Sequence, residues 1–391
     1  MKSTIFTPAL NYLLRNDEKW CKAMGYFNPY LDPFQNHLRG SIPIYDLNSY
    51  RMYPNHNFVY DKLWVAQSQN LPAGELENLF TTNKKPNYPI FIKPRWGHLS
   101  AASKNCFKIN NFDELSKYKH FNHMMWSEFV DGTEGMTDFI VLKGNIMHQI
   151  TYKYSEKQNG FTDEYKYISS KTPTPKVISD WVTANLRDYT GIVNVQYRND
   201  IIIEVGLRLA RSGAYLIATD NHAILTNIYN VIDKNQWDYS LNDNMDFEPY
   251  YAFKCYTKMP IVYIWPQHIL DLIVRTQTSR PFYEYYFEPV GREGMVFLQF
   301  MHDDLEKGMA IKKRIEFLFV LTQIITIILI LFTVVVLFSK WECKYIFLIM
   351  MILLYLTRFL NPHNTTYTLY KGQRQTIFGT GPPIGPEEIT T

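Results

Sequence analysis

Residues 192–212 read IVNVQYRNDIIIEVGLRLARS, and this stretch decides the fold. Ile192–Tyr197 and Ile201–Val205 are short runs rich in β-branched residues, separated by Arg198-Asn199-Asp200, which is turn chemistry. The segment therefore predicts a β-hairpin. The hairpin carries Gln196 and Glu204 as a pair of oxygen-bearing side chains, and Arg208 and Arg211 follow it. Upstream, Thr137–Lys143 (TDFIVLK) reads as a strand that turns at Gly144-Asn145 into IMHQITYKY, and Ser127–Val130 reads as another. Pro89–Lys93 (PIFIK) is a compact apolar strand ended by Pro94, leading into the small-residue loop RWGHLSAASK. Asp61–Phe80 places Leu63 and Ala66 on one helical face and breaks at Leu71-Pro72-Ala73-Gly74. Residues 213–235 read as helical, with Asp220, Asn221 and His222 as helix-capping chemistry. Such a mixture of hairpins and helices points to an α+β class.

Four separated pieces make chemical sense together. They are a lysine opening a helix (Lys62), a lysine ending a strand (Lys93), a small-residue loop after it, and the Gln196/Glu204 pair. A nucleotide triphosphate site needs cations for its phosphates, backbone N–H groups over them, and oxygen ligands for Mg²⁺. All three are present. The histidines are scattered and show no zinc-ligand spacing.

Over about Tyr60 to Ile228 the chain resembles the ATP-grasp superfamily, and within it the carbamoyl phosphate synthase large-chain type. Asp61-Lys62 looks like the family's first phosphate-binding lysine, and Ile90-Phe-Ile-Lys93-Pro94 like the second. Gly97-His-Leu-Ser100-Ala-Ala102 stands where the phosphate-covering loop lies. The run from Glu128 and Phe129 through Val130 to Glu134 resembles the hinge that receives adenine, with Glu134 at the ribose position. Asn194-Val-Gln196, followed by Glu204-Val-Gly206-Leu-Arg208-Leu-Ala-Arg211, resembles the metal-binding hairpin and its arginines. The resemblance implies two α+β subdomains clasping ATP, with Lys62 and Lys93 on the phosphates and Gln196 and Glu204 on Mg²⁺. Arg208 and Arg211 would then stabilise the transferred phosphoryl group or hold a substrate carboxylate.

The reaction so implied is that of an ATP- and Mg-dependent ligase or carboxylate kinase acting through an acyl phosphate. The alternative is a degenerate nucleotide-binding or scaffolding protein. Three departures bear on that choice. Gly206 stands where the family has Asn, so one metal ligand is missing; Ser127 stands where an acid often contacts adenine, although Glu128 is adjacent; and the covering loop is poor in glycine. With 391 residues and no glutaminase segment, the chain is not expected to make carbamoyl phosphate.

The rest of the chain frames this core. The mean hydropathy of −0.23 conceals a run without charge at Phe317–Ser339, FLFVLTQIITIILILFTVVVLFS, long enough as a helix to span a bilayer. A link, KWECKY, leads to IFLIMMILLYLT, a short return segment. Lys307, Lys312, Lys313 and Arg314 before the run place the large N-terminal part in the cytosol by the positive-inside rule. The opening residues lack a secretory h-region, and the four isolated cysteines fit a reducing compartment. A net charge of +3 is too mild to suggest nucleic acid. The expected division is an N-terminal cap (1–50), an ATP-grasp domain (51–235), an accessory α+β region (236–314), a transmembrane hairpin (315–360) and a disordered tail (361–391). Partners would be the lipid bilayer and a small-molecule or membrane-associated carboxylate; the sequence sets no oligomeric state.

Overall fold

In the computed structural model the described residues are 41–43, 46–82, 86–99, 105–156, 158–159, 162–219, 221–257, 280–282, 286–290, 294–338, 340 and 344–356. They form two compact units, one within His37–Tyr250 and the other within Tyr251–Leu369. Most of the expected cap and the whole tail lie outside the described residues.

The first unit opens with helix α1 (Asp46–Met52) and α2 (Lys62–Ser68). Its smaller sheet is antiparallel, in the order β1 (Ala73–Glu75), β4 (Met124–Glu128), β2 (Ile90–Pro94), β3 (Phe107–Ile109). Alternation along β2 sends Ile90 and Ile92 into a core with Leu76, Leu79, Ile109, Leu115 and Met124, which the short helices α3 (Asn78–Thr81) and α4 (Phe112–Ser116) help to close. Leu63 and Ala66 of α2 pack on Met125, Leu71 and Ala73, the helical face expected from their spacing. The break expected at 71–74 is only partly a loop, because Ala73–Glu75 pairs with β4. Gly74 permits this: a Cβ there would lie 2.8 Å from Nε1 of Trp126.

The larger sheet of this unit runs β11 (Ile201–Gly206), β10 (Gly191–Arg198), β5 (Glu134–Leu142), β6 (Asn145–Tyr154), β9 (Tyr165–Ser169). All of these pairings are antiparallel. Between β6 and β9, β7 (Gln158–Asn159) and β8 (Thr162–Asp163) form a two-residue ladder. The turn from β5 to β6 sits one residue earlier than expected. Leu142 pairs with Asn145, and Lys143 and Gly144 both have positive φ (49° and 77°), the geometry of a two-residue hairpin turn. Phe139, Val141, Val193, Val195 and Val205 form the core, together with Val65 of α2 and Ile178 and Val182 of α5 (Lys176–Asn185). The helix expected over 213–235 is two helices, α6 (Ala214–Thr219) and α7 (His222–Lys234). Asn221 starts the second one, its side chain accepting from the Ile224 N–H at 3.0 Å.

In the second unit, β15 (Gly294–His302) pairs antiparallel with β12 (Tyr250–Thr257), β13 (Arg280–Phe282) and β14 (Tyr286–Val290). Helix α8 (Leu305–Phe338) then begins against β12. Lys312 Nζ donates to the Lys254 carbonyl and to Glu316, whose carboxylate accepts from the Tyr256 N–H. Gly308 allows this approach, since a Cβ there would lie 2.3 Å from the Phe253 ring. Further along α8, Ile324, Ile325, Ile328, Leu331 and Val335 are exposed. Helix α9 (Lys344–Leu356) follows, with Phe347 edge-on to Phe332 at 5.3 Å.

The expected membrane span is not shown by the structure. Among the described residues no helix is long and apolar enough to cross a membrane, and α9 has only 13 residues. The fold thus supplies an apolar helix pair and does not establish a transmembrane hairpin.

Candidate functional site

The site is assembled where the smaller sheet meets β11. Asp61 caps α2 by accepting from the Leu63 N–H at 3.0 Å, and the same carboxylate receives Arg95 Nε and Nη2 at 2.9 and 2.6 Å. Arg95 also reaches Glu75 at 2.7 Å, and its carbonyl accepts from the Lys62 N–H at 2.9 Å. The start of α2, the exit of β2 and β1 are thereby stitched together, which fixes the roots of Lys62 and Lys93. Both lysine side chains are buried. Lys62 Nζ lies 3.3 Å from Glu204 Oε1, and Lys93 Nζ donates to the Ile203 carbonyl at 2.7 Å, so two cations from separate elements converge on β11.

Burial, and then the Lys62 charge, push the Lys93 ammonium down to about 8, against the opposing pull of Glu204, Cys106 and Glu134. The same groups act on Cys106, whose thiol burial pushes up. Lys62, Lys93, Glu204, Glu134 and Cys106 therefore share one electrostatic neighbourhood. Glu134 opens β5 opposite Arg198, with 3.3 Å between carboxylate and guanidinium. Gln196 and Glu204 are direct cross-strand partners in the hairpin, next to a register shift after Gln196.

The other residues expected in the site fall out as follows. Gly97 is buried in a short 3₁₀ turn (Gly97–Leu99), where a Cβ would meet Tyr60 at 3.4 Å and Lys62 Cε at 3.5 Å. Ser100 lies outside the described residues, as does the side chain of Arg211, whose backbone belongs to the turn Ala210–Gly213. The Glu128 and Phe129 amides donate to the Pro72 and Pro89 carbonyls at 2.8 and 3.2 Å, and Lys108 stands 3.9 Å above the Phe129 ring. Those two amides hold the hinge in place, and Val130 follows them. Arg208 is partly engaged: its Nη2 donates to Asp46 of α1 at 2.7 Å and its Nη1 to the Leu209 carbonyl at 2.9 Å.

No family model matches the sequence, and no curated protein is similar to it in sequence. Among solved structures, the chain is similar to a carboxyaminoimidazole ribonucleotide synthase from Aspergillus clavatus complexed with ATP. That likeness has a TM-score of 0.50 and 10% identity, over 70% of this chain and 79% of that one. An L-amino acid ligase from Bacillus licheniformis matches with a TM-score of 0.47 and 16% identity, over 65% of this chain and 69% of that one. The fold is ATP-grasp.

Within this ATP-grasp fold, three residues that sequence reasoning did not place in the site turn out to shape it. Asp46 pairs with Arg208. Asp138 of β5 is buried and accepts from Tyr152 Oη and Asn194 Nδ2, both at 2.7 Å, and from the Ala210 N–H at 3.0 Å, so it fixes the turn that follows β11. Its carboxyl is pushed up to about 6 by burial, against these donors and Arg208. His98, in the segment likened to the phosphate-covering loop, is buried flat against Tyr50 (3.7 Å between centroids, 18°) and edge-on to Tyr60. Neither of its ring nitrogens has a hydrogen-bond partner among the described residues, and burial and Lys62 push it down to about 3, so it is neutral. No spacing signal marks Asp46 or Asp138; both are single acids in ordinary secondary structure.

Proposed function

We propose that this chain is an ATP- and Mg-dependent ligase or carboxylate kinase acting through an acyl phosphate. The observation that carries this is the convergence of Lys62 and Lys93 on β11 beside Glu204, with Gln196 as the cross-strand neighbour of Glu204. Two buried ammonium groups reaching one strand edge suit a polyphosphate, whose charge would repay their desolvation. Lys62 and Lys93 would neutralise phosphate oxygens, and Glu134 would face the ribose.

No cluster of three or more His, Cys, Asp or Glu side chains able to hold a metal is present among the described residues. Mg²⁺ asks for less: it binds through one or two carboxylates plus phosphates and keeps several waters. The Gln196/Glu204 pair fits that demand, and Mg²⁺ held there would draw charge from the leaving phosphate. The acceptor carboxylate would approach from the side of Arg208 and the turn after it.

Incubating the full-length protein in detergent with Mg-ATP and a carboxylate library tests this, with ADP release as the readout. The expected result is carboxylate-dependent ADP. A folded protein that binds ATP yet releases no ADP with any carboxylate would favour the second reading, a nucleotide-binding protein without catalysis. Arg208 held by Asp46, and the missing side chain at Gly206, support that second reading.

The same proposal includes membrane attachment through α8 and α9, supported by the run at Phe317–Ser339 and by exposed Ile324, Ile328, Leu331, Val335, Ile346 and Ile349. Flotation of the full chain with liposomes in alkaline carbonate should keep it with the lipid; release into the soluble fraction would refute anchoring.

A further inference from the structure

The space that a side chain at position 206 would fill is already taken. A Cβ on Gly206 would lie 2.9 Å from Oδ1 of Asp46, which arrives from α1. Residues two apart on a strand share a face, so this oxygen stands against the start of a 206 side chain on the side of β11 that carries Glu204. The two oxygens of Asp46 are divided in their use. Oδ2 takes Arg208 Nη2 at 2.7 Å, while Oδ1 has no hydrogen-bond partner among the described residues. An ionised carboxylate has about four acceptor positions, so holding Arg208 leaves Oδ1 free to bind a cation.

Asp46 is placed there by a built support. The Leu207 N–H donates to Tyr60 Oη at 2.9 Å, Tyr60 in turn donates to Ser49 Oγ, and Ser49 donates to the Asp46 carbonyl at 3.1 Å. Each hydroxyl has one proton, so this order of donation is the one that satisfies all three bonds. One fully buried tyrosine thus ties α1 to the residue that follows Gly206. Tyr50 of the same helix is stacked on buried His98, next to Lys62. The position of Asp46 over Gly206 is therefore held through Ser49 and Tyr50 of its own short helix.

We infer that Asp46 supplies, from the N-terminal helix, the oxygen ligand that Gly206 lacks, so that the divalent-cation site is completed by Gln196, Glu204 and Asp46. This rests on the nucleotide-binding proposal above and deepens it. It also changes the meaning of the glycine: a residue with a side chain at 206 would collide with the ligand that replaces it.

The test measures Mn²⁺ binding to the full-length protein by electron paramagnetic resonance, with and without a non-hydrolysable ATP analogue. Thermal unfolding is followed in parallel. D46A is expected to weaken Mn²⁺ affinity in the analogue complex by about tenfold or more, the scale at which changes around a metal site register. D46N keeps an acceptor for Arg208 and so guards against a variant that fails to fold; it should unfold near the wild-type temperature yet bind Mn²⁺ several-fold more weakly. In the double variant D46A/G206N the new amide enters the vacated space, and Mn²⁺ affinity should recover relative to D46A. If Asp46 serves only to pin Arg208, D46A lowers thermal stability and leaves Mn²⁺ affinity unchanged, which overturns the inference. Wild-type protein that binds the analogue and Mn²⁺ while D46N and D46A bind both equally well sinks this inference alone. Wild-type protein that binds neither sinks the nucleotide proposal with it.

Discussion

Nucleotide affinity should fall as pH rises through about 8, because Lys93 loses its charge there. In the free protein burial and Lys62 hold this ammonium down to about 8, whereas an unburied lysine keeps its proton to about 10.4. With that value, about nine-tenths of Lys93 is charged at pH 7 and about one-tenth at pH 9. Bound phosphate favours the charged form, so binding above pH 8 must take up a proton. If only the charged form binds, affinity drops about tenfold between pH 7 and pH 9, since one unit of pKa difference is a factor of ten. Of its neighbours, His98 is neutral down to about 3, and burial raises the Cys106 thiol above its ordinary range. Isothermal titration calorimetry with a non-hydrolysable ATP analogue, in buffers of differing ionisation enthalpy, reads both the affinity and the proton uptake. K93M should bind weakly and without this slope. A flat wild-type affinity from pH 7 to pH 9, or a slope that survives in K93M, would refute the reasoning.

Three further outcomes follow from buried groups and backbone. H98F should keep the stacking on Tyr50 and remove two orphaned nitrogens, each costing about 1–3 kcal/mol when buried unpaired, so the unfolding midpoint should rise; a fall would show that the imidazole is satisfied in the folded protein. Asp138 has its folded pKa raised, so the folded state holds the proton more tightly and stability from this group is lost as pH rises from about 4 through about 6. Urea titrations should therefore show the wild type losing stability relative to D138N across that window; parallel pH profiles would contradict the assignment. G144A places a methyl 2.0 Å from the Arg187 carbonyl at φ 77°, and should destabilise by about 2 kcal/mol or more by the same assay.

What the sequence made legible is what lies close together along the chain. Lys93 is readable because PIFIK is an apolar strand with one charge at its end, and Gln196 and Glu204 because they lie on one hairpin; that they stand directly opposite each other is set by a bulge after Gln196, which no residue announces, since the turn alone would pair Gln196 with Ile203. The same locality explains the errors. Lys143-Gly144 was displaced by one residue because Gly-Asn and Lys-Gly are both acceptable turn pairs, and the pairing of Leu142 with Asn145 decides between them. β1 escaped notice because three residues, one of them glycine, carry no periodicity; only the Trp126 ring against Gly74 explains the strand. Asp46 was out of reach altogether. It stands 162 residues from Arg208, and no local pattern tells a carboxylate that it will face a glycine so far away.

The contacts of Lys62 and Lys93 also set the currency in which a ligand would be bound. In the structure these two ammonium groups tie the helix and strand of the smaller sheet to Glu204 and Ile203 of the larger one. A phosphate that recruits them does not add bonds to idle charges; it competes with a clasp that already holds the two halves together. Occupancy then becomes an exchange, in which grip on the nucleotide is gained as grip between the sheets is surrendered. Substitutions at Glu204 would accordingly loosen the protein and remove one contact of Lys62 at the same time.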